Sequence, residues 1–524
     1  MTAEALLHEL RSPGCFPNAP RDVEIVQTHL SVVCLAGDLA YKLKKAVRLP
    51  FVDFSSLAAR RATCREEVRL NRRLCPDVYL GCASLRRRGG SLRFAATGDD
   101  DAQDDVDVAV VMRRLPADRM LDVLVRERRV RVEEIEELAR HVAAFHSRAG
   151  RGPEVIAAGD PKRLAGFAAD NFRELRAIPD HGVPEALLAE LERGSAAGFG
   201  AIMPRLVARA GRGLVVDGHG DLHARNVCMT SPPAVYDCIE FEPAFRCGDV
   251  ATENAFLVMD LRYRGAPDLA RAYLDAYVAA SGDAEQPTLL PHLVAYRAMV
   301  RAKVAALAAA EHELGEHDRA AARRSGLRHV LLSAAVTAET RGPSWLVLCG
   351  PPASGKSVLS ARLGDVAGWP SFATDATRKR LAGLSPTDRG PESIYTPDFT
   401  ERTYAAVFAA AAAATAGGAP VLVLDGNFPS AELRTRAASA ARAAGAKPVV
   451  VHVDVTPEIA AHRAVARSAD PTAISDAGPE RLAVLRARFV RPTAGEGSPL
   501  VEVDGARDPA TLVADLLAAL LGPA

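Results

Sequence analysis

The chain has 524 residues, of which 48% are hydrophobic and 25% are charged, which is typical of globular proteins with sizeable cores and excludes a mainly disordered chain. Sixty-five Lys and Arg residues balance 65 Asp and Glu residues, and this zero net charge argues against a broad nucleic-acid-binding surface. The length predicts about two to four domains.

Nine cysteines are scattered along the chain without a C-x-x-C pair, which indicates a reducing compartment with neither a disulfide framework nor a zinc site. The N-terminal residues include acids and lack an apolar stretch, unlike a signal peptide. The longest uncharged run, residues 404–424, is alanine-rich and is broken by Gly417, Gly418 and Pro420, so we expect a helix and then a strand rather than a membrane span. We therefore expect a cytoplasmic protein with no membrane segment.

The first part of the chain is predicted to be rich in strands. Residues 23–47 form two apolar runs that predict a hairpin turning at Gly37 and Asp38. A helix is predicted over residues 55–74, and two further strands follow it. From about residue 116 to residue 335 helical periodicity dominates, interrupted by one polar stretch at residues 215–249.

This polar stretch contains the pattern H-x-D-x-x-x-x-N, formed by His219, Asp221 and Asn226, and Asp237 follows eleven residues after Asn226. In such an arrangement Asp221 accepts the proton of an acceptor hydroxyl, while Asn226 and Asp237 hold Mg²⁺. His219 is expected to hold the backbone of the loop. The pattern predicts phosphoryl transfer from a nucleotide.

The segments HGDLHARN and YDCIEF resemble the aminoglycoside phosphotransferase-like family, whose members share the protein-kinase fold. The resemblance implies a kinase domain over residues 1–337, with a small lobe at about 1–112 and a large lobe at about 113–337. It also implies a lysine on the third strand that pairs with a helix glutamate.

For that pair the sequence offers Lys42 first, because residues 39–42 align with the V-A-I-K pattern. Lys44 is the second choice, because it lies on the same side of the strand. Glu67 is the first choice for the partner and Glu66 the second. Met112 begins the expected hinge over which adenine lies.

Four other residues of this domain have open interpretations. Asp249 is expected to brace the catalytic loop, and His223 to pack or hydrogen-bond there. Arg297 and Arg301 share one helix face, which fits either an anion-binding surface or a solvated, salt-bridged one.

After a predicted linker at residues 338–344, strands alternate with helices over residues 345–524, which predicts a parallel sheet in a three-layer α/β domain. An apolar strand is followed directly by the pattern G-x-x-x-x-G-K-[ST]. The residues of this pattern are Gly350, Pro351, Pro352, Ala353, Ser354, Gly355, Lys356 and Ser357.

In such a loop the backbone N–H groups wrap a phosphate, Lys356 reaches the β- and γ-phosphate oxygens, and Ser357 ligates Mg²⁺. No guanine-specific N-K-x-D pattern is present, so ATP is the expected nucleotide. The chain is unusual in that only eight of its basic residues are lysines, and positions that keep one are candidates for chemistry that needs an ammonium group. The lysines are Lys42, Lys44, Lys45, Lys162, Lys303, Lys356, Lys379 and Lys447.

Five further residues complete the expected second site. Asp375 is placed to accept a proton from an attacking hydroxyl, Arg378 to hold the acceptor or its phosphate, and Asp425 to position Mg²⁺. Arg463 and Arg467, four residues apart on one helix, are expected to form a lid that neutralises charge. Four of them also have a purely structural interpretation: Asp375 as a helix cap, Asp425 as a structural carboxylate, and the two lid arginines as an exposed basic face.

The segments GPPASGKS, TDATRKRLAG and LDGNF, with the arginine lid, resemble small P-loop kinases related to polynucleotide kinase, zeta toxins and chloramphenicol phosphotransferase. The resemblance implies a kinase rather than a motor ATPase or a GTPase.

The predicted fold is therefore an α+β, protein-kinase-like bilobal domain followed by a three-layer α/β P-loop NTPase domain with a parallel sheet. The predicted function is ATP- and Mg²⁺-dependent phosphoryl transfer at two sites to small-molecule hydroxyl acceptors. Two alternatives stay open: a P-loop kinase regulated by a catalytically weak first domain, and a nucleic-acid end kinase. The absence of a G-x-G-x-x-G loop before Lys42 supports the first alternative, whereas the intact set of Asp221, Asn226 and Asp237 opposes it. The second rests only on the Asp375 and Arg378 pattern, and the zero net charge and few aromatic residues argue against it.

Overall fold

The computed structural model describes residues 3–28, 30–49, 52–101, 104–311, 314–468, 470, 474 and 479–522. Its strands are β1 (Val23–Gln27), β2 (Ser31–Ala36), β3 (Leu39–Lys44), β4 (Arg48–Leu49), β5 (Val52–Asp53), β6 (Tyr79–Arg88), β7 (Ser91–Phe94), β8 (Asp105–Arg113), β9 (Val215–Asp217), β10 (Val227–Cys228), β11 (Ala234–Val235), β12 (Cys247–Asp249), β13 (Ser344–Cys349), β14 (Ser371–Ala373), β15 (Val421–Asp425), β16 (Lys447–Asp454) and β17 (Leu500–Asp504).

Its α-helices are α1 (Ala3–Leu10), α2 (Leu57–Asn71), α3 (Leu121–Arg126), α4 (Val132–Arg148), α5 (Pro153–Ala158), α6 (Pro161–Ala177), α7 (Glu185–Gly211), α8 (Pro243–Arg246), α9 (Val250–Tyr263), α10 (Pro267–Ser281), α11 (Gln286–Ala310), α12 (Glu316–Glu339), α13 (Lys356–Ala367), α14 (Thr374–Leu381), α15 (Pro397–Ala416), α16 (Ala431–Ala443), α17 (Pro457–Ser468), α18 (Pro479–Ala487) and α19 (Pro509–Leu521).

The chain divides into two compact units. The first comprises Met1–Gly166 and Ala201–Leu293, and the second comprises Phe167–Gly200 and Val294–Ala524. The units therefore do not divide at the predicted linker, residues 338–344, whose first two residues end α12. Assignment of residues 1–337 and 345–524 to two domains stays a prediction.

The first unit begins with an antiparallel sheet in the strand order β1-β2-β3-β8-β6-β7. Gly37, with φ of +64°, makes the β2–β3 turn beside Asp38, which confirms the predicted hairpin. Alternation along β3 sends Tyr41 and Leu43 into one cluster with α1, while Ala40 lies in the cluster that contains residues of α2.

Helices dominate the rest of the first unit, where α4 packs against α10. Ile135, Leu138, Val142 and Phe145 recur every three or four residues of α4 and are all buried, because that spacing places them on one helix face. A strand-rich lobe followed by a helical lobe is the α+β bilobal fold predicted for this part of the chain.

The second unit contains a sheet in the order β14-β15-β13-β16-β17, in which every pair is parallel. On the central strand β13, Leu346 and Leu348 face a cluster with α13 and α19, while Trp345 and Val347 face a cluster with α15 and α16. Both faces of the sheet are covered, as parallel sheets require. The predicted three-layer α/β fold is confirmed, and so is the helix-then-strand prediction for the alanine-rich run.

All nine cysteines are reduced and buried. Within the part of the chain that the structure describes, no helix has both the length and the apolar character needed to cross a bilayer.

Candidate active sites

The first site is built around five charged side chains, Lys42, Lys44, Glu67, Asp237 and Glu240, called here the lysine–carboxylate cluster. Lys42 Nζ lies 2.8 Å from Glu67 Oε1 and 2.5 Å from Asp237 Oδ1. Lys44 Nζ lies 2.5 Å from Glu67 Oε2 and 2.5 Å from Glu240 Oε1. Both lysines of the open choice thus contact Glu67, because residues two apart on β3 face the same side.

The second choice for the helix glutamate has other partners. Glu66 is half-buried and pairs with Arg69, at 2.6 Å, and with Arg246, at 3.7 Å. Helix phase explains the difference, since Cys64, Glu67 and Val68 lie on the buried face of α2.

Electrostatic interactions keep both members of the Lys42–Glu67 pair charged. Burial works against the charge of Glu67, but Lys42 and Lys44 outweigh it and lower the pKa of Glu67 to about 2. Burial also opposes the charge of Lys42, but Asp237 and Glu67 outweigh it, so the pKa of Lys42 lies well above its ordinary value. Burial raises the pKa of Glu240 despite the nearby Lys44.

The loop that carries Asp221 is held by its backbone. His219 N–H donates to Glu253 Oε2 at 2.7 Å, and the His219 ring lies 2.9 Å from Tyr236 O through Nε2. Asp221 N–H donates to His219 Nδ1 at 3.3 Å. With both ring nitrogens engaged and burial lowering its pKa, a neutral His219 orders the loop, as expected from the sequence.

Gly218 and Gly220 allow this close packing. A Cβ at Gly218 would lie 2.1 Å from Glu253 Oε2. Gly220 has φ of +87°, and its Cβ would lie 2.8 Å from Phe245 O. Glycine is therefore required on both sides of His219.

The candidate base and metal ligands of the first site lie together. Asn226 Nδ2 donates to Asp221 Oδ2 at 3.1 Å and to Asp221 O at 3.0 Å. Asp237 adopts φ of +64°, and its N–H donates to the Tyr79 hydroxyl at 3.2 Å. Asp237 also contacts Lys42, so the structure joins this group to the lysine–carboxylate cluster.

His223 contacts the candidate base directly. Its Nε2 lies 3.3 Å from Asp221 Oδ2, and its Nδ1 accepts a hydrogen bond from Arg225 N–H at 3.2 Å. Because Nδ1 accepts a hydrogen bond, the Nε2 atom is the one left to face the Asp221 carboxylate with a proton. The ring packs edge-on against Phe256 at 5.5 Å.

The remaining predicted residues of this domain are placed as follows. Asp249 caps α9 and accepts two hydrogen bonds from Arg209, at 2.7 and 2.9 Å; its strand β12 pairs with β9, which leads into the loop of Asp221. Met112 is buried near the end of β8. Arg297 lies 5.5 Å from the Tyr296 ring, Arg301 is half-buried, and the interpretation of this pair stays open.

The second site is the loop that joins β13 to α13. Gly350, Ala353 and Gly355 have φ of +148°, +65° and +107°. A Cβ at Gly350 would lie 2.1 Å from Val453 O, so only glycine fits there. The loop thus curls tightly at the positive end of α13, a geometry suited to anions. It contains the predicted residues Gly350, Pro351, Pro352, Ala353, Ser354 and Gly355, and α13 begins with Lys356 and Ser357.

Among the residues that the structure describes, no carboxylate lies within hydrogen-bonding distance of the Lys356 ammonium. Its Nζ donates to Gly350 O at 2.8 Å, Pro351 O at 2.7 Å and Ser354 Oγ at 3.3 Å. Burial lowers the pKa of Lys356 to about 8, against the raising effects of Asp425 and Asp375.

Two carboxylates follow neighbouring parallel strands. Asp425 ends β15, and Asp375 is the second residue of α14, which follows β14 directly; Ala373 of β14 is in register with Asp425. Burial raises the pKa of Asp425, opposed by Lys356 and by a hydrogen bond with Ser357. The predicted base, metal ligands and lysine of the second site are therefore near one edge of the sheet.

The two lid arginines lie on α17. Arg463 Nη2 donates to Gly505 O at 2.9 Å, and its Nη1 lies 3.5 Å from Ser354 O. Arg467 is close enough to Lys356 to contribute to its lowered pKa. Both arginines thus lie near the phosphate-binding loop.

Arg378 is buried and anchors a neighbouring segment. Its Nη1 donates to Ile394 O at 2.7 Å and Thr400 Oγ1 at 3.1 Å, and its guanidinium lies 5.1 Å from the Tyr395 ring. The observed contacts support a structural role, and contact with an acceptor or its phosphate stays a prediction.

Sequence reasoning missed several residues of these sites. Glu240 was visible as the E of the D-x-x-E-F pattern, but nothing in the sequence indicated its contact with Lys44. Glu253 and Gly505 carry no recognisable local signal, although a Cβ at Gly505 would lie 2.0 Å from Ser354 O.

The chain is similar to several known proteins. Residues 346–492 match a family model described as an AAA domain, which confirms the predicted P-loop resemblance. Among solved structures, a choline/ethanolamine kinase family protein from Mesorhizobium loti is similar to 62% of this chain over 93% of its own, with 13% identity and a TM-score of 0.38. A gluconokinase from Sinorhizobium meliloti 1021 is similar to 34% of this chain over 91% of its own, with 21% identity and a TM-score of 0.25.

Relatives that span most of the chain occur in mycobacteria. Proteins described as uncharacterised from Mycobacterium tuberculosis (strain ATCC 25618 / H37Rv) and Mycobacterium bovis (strain ATCC BAA-935 / AF2122/97) are each 31% identical over 473 residues, covering 89% of this chain and 90% of the relative. The chain therefore belongs to the same protein family as these mycobacterial proteins.

Proposed function

We propose that the protein is an ATP-dependent phosphotransferase with two kinase-type sites, each of which transfers the γ-phosphoryl group of ATP to a hydroxyl of a small molecule. One observation carries the proposal: in each unit a lysine with little exposure, oxygen ligands suited to Mg²⁺ and a candidate base come from separate segments to one place. We further propose that the sites belong to domains at residues 1–337 and 345–524, with α12 at the end of the first packed against α19 of the second, and that the enzyme acts in the cytoplasm.

In the first site, Asp221 accepts the proton of the acceptor hydroxyl. Asn226 and Asp237 would hold Mg²⁺, and they fit it because carboxylate and amide oxygens are its preferred protein ligands and the Asp237 side chain is 43% exposed. When bound, the metal supplies positive charge at the phosphates. Lys42 adds an ammonium that its carboxylate neighbours keep protonated.

In the second site, the loop N–H groups and Lys356 bind the phosphates. Ser357 and Asp425 would hold Mg²⁺; the fit is supported by the hydrogen bond between them and by the burial that raises the pKa of Asp425, a cost that a bound cation would offset. Asp375 accepts the proton of the second acceptor. Arg463 and Arg467 neutralise charge during transfer.

A second candidate function has one observation in its favour. No glycine-rich loop precedes Lys42 in the sequence, so the first unit lacks one usual means of gripping phosphates. Under this alternative it binds nucleotide and regulates the P-loop site without transferring phosphate.

The deciding experiment measures transfer from γ-labelled ATP with Mg²⁺ to a pooled metabolite and aminoglycoside panel. We expect Asp221→Asn and Lys356→Ala each to abolish a different labelled product. Asp268→Asn and Lys447→Ala, at exposed positions, should keep both products. If Lys356→Ala loses all labelled products and Asp221→Asn loses no product, the first unit is a regulator instead.

A further inference from the structure

Lys44 is a buried charge that the proposed chemistry does not use. Its side chain is 3% exposed and its ammonium lies between Glu67 and Glu240. Glu67 is itself 0% exposed and uses its two oxygens separately, Oε1 for Lys42 and Oε2 for Lys44. Two cations on one buried carboxylate are more than pairing alone requires.

Nucleotide binding changes what Lys42 contacts. In the structure Lys42 is shared between Glu67 and Asp237, at 2.8 and 2.5 Å. The proposed function directs Lys42 toward phosphate and the Asp237 oxygens toward Mg²⁺, so the Lys42–Asp237 contact must be exchanged. Glu67 then loses part of its neutralising charge, which is costly for a buried carboxylate.

Lys44 is placed to supply that charge. It stands on β3 and contacts α2 through Glu67 and the segment after Asp237 through Glu240. A neutral link runs alongside: Asn71 of α2 accepts from Cys238 N–H at 2.9 Å and donates to Glu67 O at 2.8 Å. Helix α2 and the Asp237 segment are thus joined to each other, and Lys44 ties both to the strand that carries Lys42.

We propose that Lys44 is a positioning residue of the first site, which keeps Glu67 and Glu240 neutralised and holds α2 and the Asp237 segment on β3 while Lys42 and Asp237 are engaged with Mg·ATP. The inference rests on the proposed function of this site. It divides the labour between two lysines: Lys42 exchanges partners during the reaction cycle, and Lys44 does not.

The test uses the full chain in a Lys356→Ala background, so that nucleotide binding and labelled product report the first site. Lys44→Met removes the ammonium and keeps the length of the side chain. We expect it to raise the dissociation constant of Mg·AMP-PNP, measured by calorimetry, and the KM for Mg·ATP about tenfold, with a change in kcat of less than about threefold. Lys44→Arg should restore most of the affinity because it restores the charge.

Lys45→Met, at the next lysine beyond the end of β3, is the matched control and should bind Mg·AMP-PNP normally. Glu240→Gln covers the case in which Lys44→Met does not fold. Combined with Lys44→Met it should weaken binding by less than the product of the two single effects, because the partners are in contact.

Unchanged binding and KM in a folded Lys44→Met variant would overturn the role of Lys44 while leaving the proposed function intact. A lower melting temperature with unchanged KM would also overturn it, because that result indicates a structural role alone. If the Lys356→Ala parent itself neither binds Mg·AMP-PNP nor labels a product, the proposed function of the first site fails, and the role of Lys44 fails with it.

Discussion

The two sites surround their lysines with opposite chemistry. Lys42 lies among carboxylates that raise its pKa, whereas Lys356 donates to the carbonyls of Gly350 and Pro351 and burial lowers its pKa to about 8. The first site is therefore charge-compensated before any ligand arrives. The second holds a buried cation near a carboxylate, Asp425, with a raised pKa, and under the proposed function it gains an anion and a metal. An exchange of partners is expected on binding at the first, and an addition of partners at the second.

The most stringent test of this difference is to remove the carboxylate of Glu67, which both lysines of the first site share. Glu67→Gln leaves Lys42 and Lys44 with less compensation, and we expect it to destabilise the first unit by about 4 kcal/mol. Because the pKa of Glu67 is lowered to about 2 from an ordinary 4.5, this stability is fully present above pH 4.5 and is lost as the pH falls toward 2. Calorimetric unfolding across pH measures it.

Two features make that measurement specific. Glu66→Gln, at the half-buried neighbour, should change stability by less than about 0.5 kcal/mol. The chain has two tryptophans, Trp345 and Trp369, and both belong to the second unit, so their fluorescence follows that unit. Equal destabilisation by both substitutions, or a large shift of the tryptophan transition, would contradict the assignment.

A second test measures how the lowered pKa of Lys356 affects the stability of the second unit. Its pKa is lowered from an ordinary 10.5 to about 8, so between these values the unfolded chain binds more protons than the folded one. The contribution of Lys356 to the free energy of unfolding should therefore rise across that window, by about 3 kcal/mol relative to Lys356→Met, while buried thiols such as Cys349, whose pKa is raised, contribute a fall in both proteins. The gain should be absent in Lys356→Met, monitored by tryptophan fluorescence, and retained in Lys447→Met. A slope shared by Lys356→Met would show that other groups produce it.

The smallest expected effect concerns how the first base is oriented. His223→Asn removes the donor at Nε2 that contacts Asp221, and we expect the rate of the first site to fall about tenfold, the equivalent of one hydrogen bond to a charged group. His223→Gln, which can still present an amide N–H there, should recover part of the rate. His8→Gln, at an exposed position, is the control. Product formation at the second site should not change in any of these variants.

The sequence predicted best what is encoded locally. Loop residues such as Asp221, Asn226 and Lys356 occupy fixed spacings because a short backbone segment must present them together. The choice of Glu67 over Glu66 also follows from local information, since the apolar residues of α2 define its buried face.

Contacts between segments far apart in the chain could not be predicted from the sequence. Lys44 and Glu240 are separated by 196 positions, and their meeting depends on sheet register and on the path of the Asp237 segment. Arg463 of α17 meets Gly505, the residue after β17, for a similar reason. Neither pair has a spacing rule that a single sequence could reveal.

The division of the chain has a consequence for modularity. Leu331, Ala334 and Ala335 of α12 are buried in the same apolar cluster as Leu512 and Leu516 of α19, although the predicted linker separates these helices in sequence. A fragment that begins at the phosphate-binding strand would leave that apolar surface bare to solvent. A gene divided at residues 338–344 would therefore encode a C-terminal fragment that aggregates. A fragment that is meant to fold alone has to include α12.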